Sequence, residues 1–286
     1  MFNLTGKTAF FLFLFCFFSA QSFAESAYDR VLKTNTLRCG YILWPTSIAK
    51  DPNTGEFSGM NYDFINKLGE KLGLKIEWTQ EVLSGQQVET LNSGKIDAIC
   101  ASEGPLNLGT ARYLAYTDAI MWAPFFVYVR KDDNRFDGQE DKLNQPDIKF
   151  SMIDGDNTDY MTRSKFPEAG RDSLSSSSDP SQLMLDVVTK KADASILDAA
   201  TVAEFMKNNP DTLQRVKDID AVGYIPNTLS VLNSETRLLN LLNTGIMGVH
   251  AYGDADKIFK KYEEKYKDSP VIFFRPLVPF QTSSTK

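Results

Sequence analysis

The sequence has few residues that could form a structural zinc site or a nucleophile–base pair. Its 286 residues include three cysteines and one histidine, and Cys16 lies inside an apolar N-terminal run. A structural zinc site takes four cysteine or histidine ligands, so Cys39, Cys100 and His250 are too few for one. No Ser–His–Asp set, Cys–His pair or phosphate-binding loop is visible either. We therefore expect no metal, no cofactor and none of these kinds of catalysis.

Long apolar runs and basic clusters are also missing after the N-terminus. Residues 1–24 combine one cation, a 13-residue apolar run and small residues before Glu25, which is typical of a secretory signal peptide cleaved after Ala24. That run is shorter than the roughly 20 residues of a membrane span. With Lys7 removed, 30 cations face 37 anions, a net charge of −7. We expect a secreted, periplasmic protein that does not bind nucleic acid or anionic membranes.

The first half of the remaining chain alternates strand and helix patterns. Apolar runs predict strands, residues at helical spacing predict helices, and Gly73 is suited to a helix C-cap. The predicted order is strand Leu37–Ile42, helix Met60–Leu74, strand Leu74–Trp78, helix Val82–Ser93 and strand Ile96–Cys100. This order is typical of a parallel sheet with right-handed crossovers.

A second α/β pattern follows the long aromatic strand predicted at Met121–Arg130, with a polar stretch between the two. The predicted elements are strand Ile148–Asp154, helix Pro180–Lys191, strand Ala192–Asp198, helix Ala199–Asn208, strand Val222–Leu232 and helices Leu238–Val249 and Asp254–Lys265. The length fits two lobes better than one domain. We assign residues 25–129 and 228–286 to lobe 1, and residues 130–227 to lobe 2.

Cys39 and Cys100 both fall in predicted strands of lobe 1. An oxidising compartment permits a disulfide between them. The sequence does not give the Cα separation that a disulfide needs, so two buried thiols remain an equal alternative.

The stretch Lys95–Arg112, KIDAICASEGPLNLGTAR, joins a buried strand to a polar loop and a lone cation. Open α/β sheets build ligand sites at the carboxyl ends of their strands. Free backbone N–H groups and a guanidinium suit a carboxylate. The alternative is a surface loop followed by a solvated arginine at the start of a helix.

Ordered pieces along nearly the whole mature chain resemble the family 3 extracellular solute-binding proteins, which are type II periplasmic receptors for amino acids and similar solutes. They are LRCGY, GEFSGMNYDFINKLGEKLGLKIEW, LNSGKIDAI, GTAR, YTD, VYVRKDD and YGDADKIFKKYEEKY. The resemblance implies an α/β fold of two lobes joined by two hinge strands and closing on a ligand. It also implies delivery of an amino acid or related small molecule to an inner-membrane ABC permease. We expect the protein to be a monomer.

The resemblance also implies roles for individual residues. Arg112 matches the arginine that holds the ligand α-carboxylate, and Asp198, in DASILD, matches the aspartate that holds the α-ammonium. Trp44 matches the aromatic residue that packs over the ligand. The loop before Arg112 departs from the family, since it is about three residues longer and lacks two expected hydroxyls. Counting from the strand selects Ser102 as a ligand contact, whereas counting back from Arg112 selects Asn107.

The lobe-2 turn departs from the family as well. Its usual Gly-Thr-Thr is here Gly155-Asp156-Asn157, and we include Asp156 and Asn157 among the candidate ligand contacts. The extra carboxylate favours a cationic ligand, or else Asp156 caps a helix, which we slightly prefer. For Trp122 we favour core packing over a place at the ligand.

Two other functions remain possible from sequence. One is a periplasmic dehydratase acting on arogenate-like cyclohexadienyl acids, with Glu103 or Asp156 moving the proton if burial raises its pKa. The other is a periplasmic partner of a dehydrogenase or sensor kinase. A non-enzymatic receptor is our leading prediction.

Overall fold

The computed structural model describes residues 25–83, 85–103 and 110–267. The predicted signal peptide, residues 1–24, lies outside that part. Its helices are α1 (Ala27–Thr34), α2 (Met60–Leu72), α3 (Gln87–Asn92), α4 (Asn157–Lys165), α5 (Ser181–Val188), α6 (Ala199–Asn208), α7 (Thr236–Ala251) and α8 (Asp254–Lys265). Its strands are β1 (Thr36–Tyr41), β2 (Ala49–Lys50), β3 (Phe57–Ser58), β4 (Lys75–Glu81), β5 (Ala98–Glu103), β6 (Leu114–Tyr116), β7 (Met121–Arg130), β8 (Lys149–Ile153), β9 (Gly170–Leu174), β10 (Ala194–Asp198), β11 (Leu213–Arg215) and β12 (Gly223–Leu232).

A mixed sheet runs through the molecule in the order β4-β1-β5-β12-β7-β10-β8-β9. At one end β1 is parallel to β4 and β5, and at the other β8 is parallel to β9 and β10. The long strands β7 and β12 pair antiparallel between these two parallel groups. This is the expected two-part α/β architecture. The boundaries at residues 129/130 and 227/228 remain predictions, although β7 and β12 are the strands that run through them.

Helix α2 shows why the first parallel group folds as the sequence predicts. Its apolar face buries Phe64, Ile65 and Leu68 completely, and burying side chains of this size contributes about 1.5–3 kcal/mol each. Gly73 ends the helix with φ of 68°, a left-handed conformation that suits glycine. The chain then enters β4 beside β1.

Two sequence predictions in this half were wrong. The helix predicted over Val82–Ser93 is only α3, because the Val82 N–H donates to the Tyr41 carbonyl and continues the contact of β4 with β1. After the loop, Arg112 ends a single 3-10 turn rather than starting a helix. The chain turns into β6 there because β12 offers it an edge to pair with.

Cys39 and Cys100 form a disulfide with a Cα–Cα distance of 5.4 Å. Both residues are fully buried, on the neighbouring strands β1 and β5. Of the two possibilities that the sequence left open, the structure has the disulfide. No helix within the described residues is long and apolar enough to cross a membrane.

Candidate functional site

A cleft of about 450 Å³ lies between the loop after β1, the end of β8, the segment before α5, the middle of α6 and the end of α8. It is lined by residues far apart in sequence, including Trp44, Asp156, Asp179, Glu204 and Tyr266. A second cavity of about 30 Å³ lies beside it and is bounded by Trp44, Asp198 and Asn227. Trp44 lines both, so the candidate site has a wide outer part and a small inner part.

Asp198 lies where β10 ends and α6 begins. Its Oδ1 accepts the Ala200 and Thr201 N–H groups at 3.0 and 2.9 Å, which makes it the N-cap of α6. Its Oδ2 accepts the Thr201 hydroxyl at 2.6 Å and the Trp44 indole N–H at 3.1 Å. A carboxylate offers about four acceptor positions, so these four donors use its capacity. The Trp44 bond joins the parts of the chain that we assigned to opposite lobes.

Asp156 occupies the equivalent place at the end of β8 and the start of α4. Its Oδ1 accepts the Thr158 N–H at 2.7 Å, the Thr158 hydroxyl at 2.5 Å and the Asp159 N–H at 3.4 Å. The preferred N-cap role is therefore correct, yet the residue also lines the cleft. Burial raises the pKa of Asp156 to about 6 despite these three hydrogen bonds, which act in the opposite direction.

Asn157 and Arg112 do not join the Trp44–Asp198 pair. Asn157 is buried in the first turn of α4, and its Nδ2 has no hydrogen-bond partner among the residues that the structure describes. Arg112 is exposed, and its side chain makes no hydrogen bond or ion pair with another residue of the described ranges. Whether these two residues contact a ligand remains a prediction.

Three further candidates concern the loop and the hinge strands. Ser102 lies in β5 opposite Thr228, but its side chain, like that of Glu103, is outside what the structure describes. Asn107 lies wholly outside the described residues. Trp122 is 40% exposed on β7, so our preference for core packing was wrong. It lies opposite Pro226 of β12.

Sequence reasoning missed a buried amide network under the inner cavity. Asn61 is fully buried, and its Nδ2 donates to the Ser47 hydroxyl and to Asn227 Oδ1, both at 2.7 Å. Its own Oδ1 accepts no hydrogen bond within the described ranges. Ser47 and Asn227 line the inner cavity. The one signal in the sequence was an asparagine beginning an otherwise apolar helical face, which is insufficient to place it at a site.

A contact between α6 and the end of α8 was also missed. The Tyr266 hydroxyl donates to the Glu204 carboxylate at 2.8 Å, and Lys207 pairs with that carboxylate at 2.7 Å. Lys207 also lies 4.8 Å from the centre of the Tyr266 ring. Like the bond from Trp44, this cluster joins the two predicted lobes at the rim of the cleft. Within the part of the chain that the structure describes, no cluster of histidine, cysteine and acidic residues could hold a metal.

Comparison with known proteins adds to this geometry. The model of the bacterial extracellular solute-binding proteins, family 3, matches residues 38–265. A probable amino-acid ABC transporter-binding protein of Haemophilus influenzae is 23% identical over 242 residues, which cover 84% of this chain and 90% of that protein.

Solved structures share the fold over most of their length. An ancestral amino acid-binding protein, a precursor of cyclohexadienyl dehydratase, has a TM-score of 0.70 at 23% identity and covers 83% of this chain and 99% of its own. A mutant of ArgBP from T. maritima has a TM-score of 0.69 at 21% identity, with the same coverage. The periplasmic VFT2 domain of Bordetella pertussis BvgS has a TM-score of 0.70 at 15% identity, covering 82% of this chain and 97% of that domain. These likenesses establish the two-lobed fold.

Proposed function

Because the chain belongs to the bacterial extracellular solute-binding proteins of family 3, we propose that it is a periplasmic receptor for an amino acid or a closely related carboxylate. The observation that carries this proposal is the Asp198 carboxylate. It is held at the start of a helix, beside an aromatic ring and at the boundary of two connected cavities. Such a carboxylate can bind an ammonium group through charge-assisted hydrogen bonds.

Binding proceeds by closure of the two lobes about β7 and β12. The ligand ammonium takes the acceptor position of Asp198 Oδ2 that the Trp44 N–H occupies, and the indole ring then packs against the ligand. The carboxylate end is bound by Arg112, from the loop that precedes β6. Closure is favoured because these contacts exist together only when both lobes surround the ligand.

The closed receptor acts as a monomer and delivers its solute unchanged to an inner-membrane ABC permease. The relative from Haemophilus influenzae is named for such a transporter. The role of a receptor requires release as well as capture. The contacts at the rim of the cleft are suited to this, because exposed ion pairs such as Lys265–Glu204, which joins the two predicted lobes, stabilise by only about 0.2–1 kcal/mol.

The test is a thermal-melting panel on the purified mature chain with amino acids, diamines and small organic acids at millimolar concentration. A ligand at 100 times its Kd stabilises the folded state by about 2.7 kcal/mol, which raises the Tm by several degrees in a chain of this size. We expect this rise for one class of amine-bearing amino acids. The absence of any shift across the panel would contradict the receptor function.

One observation favours a second candidate, an enzyme on the same scaffold. A carboxyl group with a pKa of about 6 in a cleft, as at Asp156, is suited to proton transfer near neutral pH. The ancestral binding protein among the structural neighbours is described as a precursor of a dehydratase. Release of the dehydrated product from arogenate or prephenate by the purified chain would favour this candidate, and an unchanged substrate after overnight incubation would remove it.

A further inference from the structure

The two carboxylates of the candidate site differ in what they leave free. Asp198 has donors on both oxygens. All three donors to Asp156 bind Oδ1, and Oδ2 accepts no hydrogen bond from any residue of the described ranges. Asp156 Oδ2 is not among the enclosed polar atoms without a partner, and the residue lines the outer cleft. One carboxylate oxygen is therefore open to whatever occupies the cleft.

No positive charge of the described residues pairs with the carboxylate of Asp156. Within the described part of the chain, no lysine or arginine nitrogen lies within 4.0 Å of the Asp156 or Asp198 carboxylate. Two fully buried carboxylates elsewhere are paired: Asp97 with Arg38 at 2.8 Å, and Asp186 with Lys191 at 3.4 Å. Asp156 is half-buried and Asp198 is buried. Since carboxylates with so little contact with solvent are usually paired, the two exceptions at the cleft require a reason.

The other charged residues that line the cleft add to the negative charge of Asp156. Its charged lining residues are Glu81, Asp156, Asp179, Glu204, Lys50 and Lys265, so acids outnumber bases by four to two. Lys265 lies 3.9 Å from Glu204 and is directed to that acid. In the inner part, the unpartnered Asn61 Oδ1 is a fully buried acceptor next to residues that line the cavity. The outer part thus carries an excess of negative charge, and the inner part holds a buried acceptor without a donor among the described residues.

From this geometry we infer that Asp156 determines specificity by binding a second positive charge of the ligand, so that the solute is a cationic amino acid or a diamine. The inference rests on the proposed receptor function. One amine binds at Asp198, and a second amine or guanidinium binds Asp156 Oδ2 across the Trp44 ring, whose face also attracts cations. A cleft of about 450 Å³ is large enough for a solute of this size.

The competing explanation is that Asp156 only caps α4. Asparagine and serine cap helices about as well as aspartate does, so Asp156→Asn and Asp156→Ser separate the two explanations. Both variants keep an acceptor for the Thr158 and Asp159 N–H groups and remove the charge. Circular dichroism and the Tm establish that each variant is folded. Asp51→Asn is the matched control, because Asp51 accepts the Asn53 N–H at 2.8 Å, is exposed and lies outside the cleft lining.

Isothermal titration calorimetry of the full mature chain at pH 7.5 compares L-lysine, L-arginine and 1,4-diaminobutane with L-glutamine. We expect at least one of the three cations to bind tenfold or more tightly than L-glutamine does. Asp156→Asn and Asp156→Ser should weaken binding of that cation at least tenfold and change L-glutamine binding less than twofold. Asp51→Asn should change neither. Comparing the affinities for L-lysine and L-arginine with that for 1,4-diaminobutane shows whether binding also requires a carboxylate on the ligand.

Two results would overturn the inference and leave the receptor function standing. One is that L-glutamine or another neutral amino acid binds as tightly as the cations. The other is that the folded Asp156 variants bind the cation with unchanged affinity, which would make Asp156 a helix cap alone. If the chain binds no amino acid and no diamine, the receptor function fails together with the inference.

Discussion

Removal of the Cys39–Cys100 disulfide should destabilise the protein by about 4 kcal/mol. The bonded residues are 61 positions apart in sequence. Closing a loop of that length lowers the entropy of the unfolded chain by about 14 cal/mol/K, which corresponds to ~4 kcal/mol at 25 °C. For a chain of this size the unfolding entropy is about 0.5 kcal/mol/K, so the expected fall in Tm is about 8 °C.

The assay is urea denaturation of the mature protein, followed by circular dichroism, with and without a thiol reductant. Cys39→Ala/Cys100→Ala is the control, because it lacks the bond and should not respond to the reductant. We expect the reduced protein to unfold at lower urea than the oxidised one. A reductant effect below about 1 kcal/mol, or two titratable thiols in the denatured, unreduced mature chain, would refute the reasoning.

Three further predictions concern the cleft. Arg112→Ala should decrease the affinity for carboxylate ligands at least tenfold, measured by calorimetry, and leave the Tm unchanged. Full affinity in this variant would show that Arg112 does not belong to the site. Asp198→Asn keeps the α6 cap but loses a charge, so the affinity for amine-bearing ligands should decrease tenfold or more. An equal loss of affinity for amine-free acids would mean that the residue has a structural role only. Burial raises the pKa of Asp156 to about 6, and its protonated form has no charge with which to bind a cation. As the pH is lowered below 6, the affinity for a cationic ligand should therefore decrease, approaching about tenfold per pH unit. The drop should disappear in Asp156→Asn. The chain's one histidine, His250, lies in α7 and packs beside Phe64 and Phe259. A loss of affinity below pH 6 that persists in Asp156→Asn would refute the assignment of this pH dependence to Asp156.

Most of the scaffold could be predicted because its elements carry strong local signals. Strand β7 and helices α6 and α8 have the bounds that the sequence predicts. Each begins or ends at a clear signal, such as the Asp198 cap before α6 or the Asn209–Pro210 pair after it.

Strand β9 could not be predicted, because Gly170–Leu174 lacks an apolar alternation and Ser173 begins a serine run. It forms because β8 offers it a hydrogen-bonding edge over five residue pairs. This support comes from tertiary structure, which local propensity does not contain. Helix α4 was anticipated only through the possible cap at Asp156, since the sequence of Asn157–Lys165 is mostly polar.

The candidate site likewise has features that the sequence predicts and features that depend on tertiary structure. Asp198 could be selected from sequence because it ends a buried strand in a recognisable motif. Its bond to Trp44, 154 positions away, depends on how the two halves of the sheet come together. The free oxygen of Asp156 depends on which rotamer caps α4. Sequence therefore identifies both carboxylates, whereas their different availability follows only from three-dimensional structure.

The central claim is that this protein captures a small amine-bearing solute and returns it unchanged. The most direct test is calorimetric titration of the purified mature chain with the compound that raises its Tm, followed by mass spectrometry of the ligand recovered after denaturation. The account predicts one ligand bound per chain and recovery of the intact compound. Conversion of the compound to a product would contradict it, as would saturable binding of amine-free acids alone.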